Sequence, residues 1–128
     1  MSKRISVLVI EDEKNIRGIL KYNLESDGFE VILAEDGPIG LELAREKEPD
    51  VILLDWMMPE MDGLEVLSKL KMNVQTRNIP VFMLTAKKRP CHLRAAIAES
   101  VDGYIAKPFD PAKLGEKIRD MLEKLVKS

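Results

Sequence analysis

The sequence has little of what several classes of protein require. It contains one cysteine and one histidine, and aromatic residues make up 5% of the chain. Cys91 cannot form a disulfide within the chain, which fits the reducing environment of the cytoplasm. Together with His92 it falls short of the tetrahedral set of soft ligands that a structural zinc site needs. The composition therefore favours a cytoplasmic protein without disulfides or zinc.

Long apolar runs and a strong charge of one sign are also missing. The longest apolar stretches, such as residues 51–54, are far shorter than the roughly 20 residues of a membrane-spanning helix. Lys3 and Arg4 precede only a short apolar run without a cleavage site, so no signal peptide is predicted. The formal net charge of -2 lacks the basic excess typical of nucleic-acid-binding proteins. We expect neither membrane insertion nor direct nucleic acid binding.

The sequence does contain enough apolar residues for one core. Hydrophobic residues make up 45% of the chain and charged residues 33%, which is typical of a folded domain rather than a disordered one. A length of 128 residues matches one ordinary domain. No linker is visible after the last predicted helix, which ends in Lys127 and Ser128. This feature favours a stand-alone protein.

Short apolar runs alternate with amphipathic stretches along the chain, which predicts five strands, each followed by a helix. The predicted strands cover residues 5–10, 29–34, 51–54, 81–84 and 103–106. Strands one, three and four are continuous apolar runs, as expected when helices cover both faces of a parallel sheet. The helix predicted over residues 90–99 has the least regular pattern. We predict an α/β fold with a doubly wound, five-stranded parallel sheet in the flavodoxin-like order 2-1-3-4-5.

Polar side chains directly follow four of the predicted strands. They are Glu11 and Asp12 after the first strand, Asp55 after the third, Thr85 after the fourth and Lys107 after the fifth. In open α/β sheets, ligands bind beyond the carboxyl ends of the strands, where the strand order reverses. In the order 2-1-3-4-5 this point lies between strands one and three, so the two acidic segments should converge. Their oxygen ligands suit Mg²⁺, which often shares its coordination with phosphate.

Each of these residues has a possible role in phosphoryl transfer. Asp55 is the candidate nucleophile, since carboxylates can form aspartyl phosphates. Glu11 and Asp12 are candidate Mg²⁺ ligands, because the cation would offset repulsion between the carboxylates and an incoming anion. Lys107 and Thr85 are candidates for binding the transferred oxygens, since this reaction depends mainly on positioning and charge neutralisation.

Four segments that contain these residues resemble, in order and spacing, the receiver domain of two-component response regulators. They are Val-Ile-Glu-Asp-Glu at 9–13, Leu-Leu-Asp-Trp-Met-Met-Pro-Glu-Met-Asp-Gly at 53–63, Leu-Thr-Ala-Lys at 84–87 and Gly-Tyr-Ile-Ala-Lys-Pro-Phe at 103–109. The resemblance spans essentially the whole chain, so residues 1–128 are expected to be a single receiver domain. It implies a signalling switch that assists its own phosphorylation and dephosphorylation rather than an enzyme.

The resemblance also implies specific roles in the acidic crevice. Asp55 would be the phosphoacceptor. Asp12 and Asp55 would bind Mg²⁺ directly, and Met57 would offer its backbone carbonyl. Glu11 would be the second acid, acting through water.

Further implications concern the signal that leaves the site. Thr85 and Tyr104 would be the switch pair, Lys107 would contact the phosphoryl group, and the Lys107–Pro108 peptide bond would be cis. A sensor histidine kinase or a phosphotransfer protein would supply the phosphoryl group. An output protein or a fused output domain would read the result.

Two features point to different branches of the family. Asp102-Gly103-Tyr104 resembles the stand-alone chemotaxis type and weakens the expectation of dimers through the last strand and its flanking helices, whereas Asp55-Trp56-Met57 resembles the transcription-factor branch. Ser100-Val101 stands where members commonly have Gly-Ala. The subfamily therefore stays open.

Three other functions are compatible with parts of the pattern. A pseudo-receiver that only docks partners would be expected to lack some of the acidic, hydroxyl or lysine positions, and none is missing. A phosphatase with an aspartyl nucleophile typically has a second Asp two residues later, where this chain has Met57. A flavodoxin-like electron carrier would need a Ser-, Thr- and Gly-rich loop after strand one, where this chain has acidic residues.

Overall fold

The strands and helices that the structure describes follow the order that the apolar pattern predicts. The computed structural model describes residues 4–56, 63–85 and 101–127. In chain order, its elements are β1 (Ser6–Ile10), α1 (Lys14–Ser26), β2 (Glu30–Ala34), α2 (Gly37–Lys47), β3 (Val51–Asp55), α3 (Gly63–Met72), β4 (Val81–Thr85), β5 (Gly103–Ala106) and α4 (Leu114–Lys127). Met57 and the helix predicted over residues 90–99 lie outside the described residues.

The five strands form one parallel sheet in the order β2-β1-β3-β4-β5, which confirms the predicted topology. The strand order reverses between β1 and β3. Ile10 of β1 is in register with Leu54 of β3, so the residues that follow them, Glu11 and Asp55, lie at one edge of the sheet. That edge is the usual position of a ligand site in open α/β sheets.

The sheet separates two apolar clusters, because successive side chains of a strand point to opposite faces. Leu8 and Ile10 belong to the cluster that includes residues of α2 and α3. Val7 and Val9 belong to the cluster that includes residues of α1 and α4. All four of these side chains are fully buried, which stabilises each by about 1.5–3 kcal/mol relative to exposure.

The turns between elements use ordinary capping chemistry. The Asp36 carboxylate accepts a hydrogen bond from the Ile39 N–H at 2.8 Å and caps α2. The Asp110 carboxylate accepts a hydrogen bond from the Ala112 N–H at 3.0 Å and caps a short 3₁₀ turn, Pro111–Lys113, that leads into α4. Gly28 follows the C-cap residue of α1 and has a φ of 92°, which favours glycine because it has no Cβ.

A glycine in the first turn of α4 permits a close contact between two helices. A Cβ on Gly115 would lie 2.9 Å from the Cβ of Asp27, the residue that follows α1 and caps its carboxyl end. Real Cβ atoms essentially never approach so closely, so a larger residue here would push α4 away from α1.

In the described part of the chain, no helix has both the length and the apolar character needed to cross a bilayer.

Candidate functional site

The two acidic segments are held by the sheet rather than by free loops. Glu11 follows β1, and its N–H donates to the Ala34 carbonyl at 3.1 Å. Asp55 is the last residue of β3 and is 3% exposed. The N–H of Trp56 donates to the Leu84 carbonyl at 3.1 Å, which continues the pairing of β3 with β4 beyond Asp55. Buried parallel strands therefore fix the directions of both carboxyl groups.

Three carboxylates converge at this edge, as the sequence predicts. Glu11, Asp12 and Asp55 each offer one oxygen, and these oxygens all lie within 4.8 Å of one another. Asp12 is exposed, whereas the other two are buried. Like charges so close disfavour joint ionisation unless a cation is present. The cluster therefore has the donor chemistry of a site for a hard divalent ion.

Glu11 has an unusual environment for a carboxyl group. Its Oε2 accepts a hydrogen bond from the Glu13 N–H at 3.2 Å, while its Oε1 is buried and has no hydrogen-bond partner among the described residues. Burial, and secondarily the charge of Asp55, raise the pKa of Glu11 from 4.5 to about 8, although the Glu13 N–H and Lys107 act in the opposite direction. A buried polar atom without a partner is uncommon, and a cation would satisfy it.

Lys107 brings a positive charge to the cluster from β5. Its Nζ lies 2.9 Å from Oδ1 of Asp55, and its backbone N–H donates to the Thr85 carbonyl at 2.9 Å. The backbone bond fixes the base of the side chain, while the flexible stem lets the ammonium group move between nearby oxygens. The peptide bond between Lys107 and Pro108 is cis, which confirms that expectation.

The predicted switch pair lies on the neighbouring strands β4 and β5. Thr85 ends β4 and is 3% exposed, and it is in register with Ala106. Tyr104 is half-buried in β5 and packs against the apolar cluster that includes α2 and α3. The structure thus places Thr85 on the strand next to Asp55 and Tyr104 one strand further out, and their function as a switch stays a prediction.

Arg17 is a contributor to the site that the sequence reading missed. Its Nη1 donates to the backbone carbonyls of Glu11 and Asp12, each at 2.9 Å, and so holds the loop that presents both carboxylates. The sequence offers no distinctive signal for this role, because Lys14 is also a cation near the start of α1.

The family model described as "Response regulator receiver domain" matches residues 7–119. The chain belongs to the response regulator receiver domain family. The matched segment contains the acidic cluster, Lys107 and both residues of the predicted switch pair. The family consists of the receiver domains of two-component signalling systems, so the resemblance noted in the sequence is confirmed.

Curated relatives of this receiver domain include transcriptional regulators. It is 38% identical to the alkaline phosphatase synthesis transcriptional regulatory protein PhoP of Bacillus subtilis, over 97% of this chain and 50% of that protein. It is also 38% identical to the phosphate regulon transcriptional regulatory protein PhoB of Escherichia coli, over 98% of this chain and 54% of that protein. The receiver domain therefore spans about half the length of the curated relatives it matches.

Solved structures confirm the fold. The chemotaxis response regulator CheY4 of Vibrio cholerae, crystallised at low pH, superimposes with a TM-score of 0.84 at 31% identity, over 93% of this chain and 99% of that chain. The N-terminal domain of a response regulator receiver protein from Methanoculleus marisnigri superimposes with a TM-score of 0.74 at 36% identity, over 90% of this chain and 94% of that one. The receiver domain is thus similar both to transcriptional regulators and to a chemotaxis regulator.

Proposed function

We propose that this receiver domain accepts a phosphoryl group on the carboxylate of Asp55 and so switches an output surface. The observation that carries the proposal is the surroundings of Asp55. This buried carboxylate is paired with Lys107 at 2.9 Å and faces Glu11 and Asp12 at the edge where the strand order reverses. A nucleophile, a cation for the transferred oxygens and a set of metal ligands are thereby combined in one crevice.

The donor set fits Mg²⁺, because the clustered side chains offer only oxygen ligands and the Oε1 of Glu11 lacks a partner among the described residues. Asp12 and Asp55 would bind the ion directly, Glu11 would act through water, and Met57 would offer its backbone carbonyl. When bound, Mg²⁺ would supply positive charge that offsets repulsion between these carboxylates and an incoming phosphoryl group.

The residues of the chain then perform the transfer. An oxygen of the Asp55 carboxylate forms a bond to phosphorus, while the bond between phosphorus and the donor breaks and its electron pair leaves with the donor. A sensor histidine kinase or a phosphotransfer protein would be that donor. The Lys107 ammonium and the Thr85 hydroxyl would bind the transferred oxygens, so the domain assists its own modification and acts as a switch rather than as an enzyme.

The signal would leave the site through the switch pair. A phosphoryl group adds roughly one to two negative charges and new acceptor oxygens beside Thr85. The Thr85 hydroxyl would donate to one of these oxygens and move towards the site. Tyr104 would then turn inward into the space that this movement vacates. A cytoplasmic output protein, or an output domain fused to this one, would read the altered face of β5 and α4.

Acetyl phosphate provides the direct test of the acceptor. With Mg²⁺ present, intact mass should increase by one phosphoryl group, and hydroxylamine should remove it, as expected for an acyl phosphate. Asp55→Asn should remain unmodified, because an amide cannot act as this nucleophile. Modification that persists in Asp55→Asn, or that maps to a serine or threonine, would refute the assignment.

A titration with Mg²⁺ tests the metal ligands separately. Trp56 adjoins Asp55 in sequence and is 8% exposed, so its fluorescence should report binding. The signal should saturate at the low affinity usual for a few carboxylates with several waters. Asp12→Ala should weaken binding strongly, whereas Asp36→Ala removes a carboxylate outside the cluster and should not. An unchanged titration in Asp12→Ala would contradict the ligand assignment.

The switch pair can be tested by the phosphoryl mimic beryllium fluoride. Amide chemical shifts across residues 90–106 should change on adding the mimic to the wild type. Thr85→Ala should still bind the mimic but should lose the shift at Tyr104, whereas Thr85→Ser keeps the hydroxyl and should restore it. A full wild-type pattern in Thr85→Ala would show that Thr85 is not the relay.

A further inference from the structure

A cleft between α2 and the C-terminal end of α3 lies apart from the acidic site. It has a volume of about 370 Å³ and is lined by Pro38, Leu41, Arg45, Lys69, Asn73 and Thr76. A second depression of about 470 Å³ shares Lys69 and Asn73 with it and adds Met72 and Val74. These two depressions form one continuous surface, called here the α2–α3 cleft.

Two cations of the cleft have no side-chain or backbone partner among the described residues. Lysines and arginines in the last turn of a helix often bind backbone carbonyls, and the Lys71 ammonium contacts the carbonyls of Arg77 and Ile79, in the segment between α3 and β4, at 3.3 and 3.4 Å. Arg45 and Lys69 also lie in last turns, yet neither has an ion pair or hydrogen bond to another described residue. Their charges are therefore available to a ligand.

Asn73 adds a third donor to the same cleft. Its side-chain oxygen accepts a hydrogen bond from the Gln75 N–H at 2.9 Å, which leaves the amide NH₂ group to donate. No carboxylate is among the residues that line the cleft. A guanidinium, an ammonium and an amide around one depression form a binding site for an anion such as a carboxylate.

The apolar side of the cleft points to protein as the source of that anion. Met72 is 82% exposed and Val74 is 69% exposed, and both adjoin the cations. Exposed methionines next to charged groups are typical of surfaces that contact other proteins. The side chains of Met72 and Val74 are called here the apolar shelf. A nucleic acid backbone would gain no contact energy from this shelf, and the net charge of -2 disfavours binding to a polyanion.

We propose that the α2–α3 cleft docks a segment of a partner protein in which Asp or Glu side chains flank an apolar side chain. The carboxylates bind to Arg45, Lys69 and Asn73, and the apolar side chain packs on Met72 and Val74. Charge complementarity selects the segment and the shelf adds apolar contact.

The position of the cleft makes it independent of phosphoryl transfer. Helix α3 starts at Gly63, whose N–H donates to the Trp56 carbonyl at 2.7 Å next to the acidic site. This helix of 10 residues ends at Met72, about 14 Å away along the helix axis. A partner held at the far end of α3 leaves the phosphoacceptor edge open to a donor. The inference therefore does not depend on the proposed phosphoryl chemistry.

Binding of defined probes tests the proposal. A fluorescent peptide of roughly 12 residues, repeating Glu-Glu-Leu, represents the proposed segment, and a polyglutamate peptide and an oligothymidylate of similar length represent charge alone. The Glu-Glu-Leu peptide should bind saturably and shift the amide signals of residues 69–77. The Arg45→Glu, Lys69→Glu double variant should bind it about tenfold more weakly. The Met72→Ser, Val74→Ser double variant should show a smaller difference in affinity between the Glu-Glu-Leu peptide and polyglutamate.

Lys47→Glu is the matched control, because Lys47 lies in the same last turn as Arg45 but does not line the cleft. It should bind like the wild type. If the Arg45→Glu, Lys69→Glu variant has a lower melting temperature than the wild type, the Arg45→Gln, Lys69→Gln variant is used in its place. Absence of saturable binding, equal binding of polyglutamate or oligothymidylate, or equal losses in Lys47→Glu would each overturn the proposal.

Discussion

The carboxylates at the two ends of the parallel sheet have very different surroundings. At the amino ends of the strands, the Asp50 carboxylate accepts hydrogen bonds from the N–H and hydroxyl of Ser6 at 2.8 and 3.2 Å. The Asp102 carboxylate accepts from the Val81 N–H at 2.8 Å and from the Lys71 ammonium at 3.4 Å. Both groups join elements that are distant in sequence, so they have structural roles.

At the carboxyl ends of the strands, the carboxylates repel one another. Glu11 is 1% exposed, its Oε1 has no partner among the described residues, and its pKa is raised to about 8. Asp55 is paired with Lys107 but faces two further acids. Acidic residues therefore stabilise the fold at the amino edge of the sheet, whereas they carry an electrostatic cost at its carboxyl edge. Perturbed and unsatisfied groups of this kind mark functional sites more often than structural ones.

The largest expected effect is a difference in pH dependence between the two edges. The pKa of Glu11 is raised from 4.5 to about 8, so the folded state keeps a proton that the unfolded state loses in this interval. Without metal, the free energy of unfolding should therefore fall as the pH rises from about 5 to 8. Urea unfolding in EDTA at several pH values measures this slope.

The variants Glu11→Gln and Asp50→Asn show which edge of the sheet causes the pH dependence in that experiment. Glu11→Gln should flatten the slope, because the titrating group is gone, whereas Asp50→Asn should keep it. Mg²⁺ should also reduce the slope in the wild type, since the cation would compete with the proton. A slope that survives in Glu11→Gln would show that the titrating group lies elsewhere.

Asp102→Ala should give the next largest effect. It leaves the Val81 N–H and the Lys71 ammonium without their carboxylate partner, and the free energy of unfolding should fall by about 2 kcal/mol. Asp102→Asn retains an acceptor and should lose roughly half as much. Chemical denaturation measures both. A loss no larger than that of an ordinary exposed Asp→Ala substitution would contradict the structural role of this carboxylate.

Asp55→Asn should have the opposite sign. Removal of a charge from the crowded edge should raise the free energy of unfolding of the metal-free protein by about 1 kcal/mol, while phosphorylation is lost. Asp12→Asn should also raise the melting temperature, but less, because Asp12 is exposed. If both variants melt below the metal-free wild type, the cluster is structural and the comparison between the edges fails.

Arg17→Met should give the smallest effect. It removes the two hydrogen bonds to the carbonyls of Glu11 and Asp12 without removing any carboxylate. Mg²⁺ binding, followed by Trp56 fluorescence, should weaken by less than the roughly tenfold loss usual for a group bonded directly to a metal ligand, because Arg17 bonds only the backbone of the loop. Arg17→Lys should restore part of the loss. Unchanged affinity in Arg17→Met would limit this side chain to a structural role in the loop.

The parallel sheet and the convergence of Glu11 and Asp55 could be predicted because they follow from local features. Apolar runs of strand length mark the sheet, and carboxylates directly after those runs must lie at one edge when the strands are parallel. The role of Arg17 was not predicted, since it depends on the direction of one side chain in three dimensions.

The sequence by itself determined the order of strands and helices and the identity of the residues at the strand ends, because hydrophobic periodicity is a property of neighbouring residues. Only the tertiary structure decided which carboxylates are satisfied. Asp102 finds Val81 and Lys71, whereas Glu11 is buried beside Asp55 with one oxygen unpaired among the described residues. The difference is physical, because desolvation and hydrogen bonding depend on what other segments of the chain pack around a group.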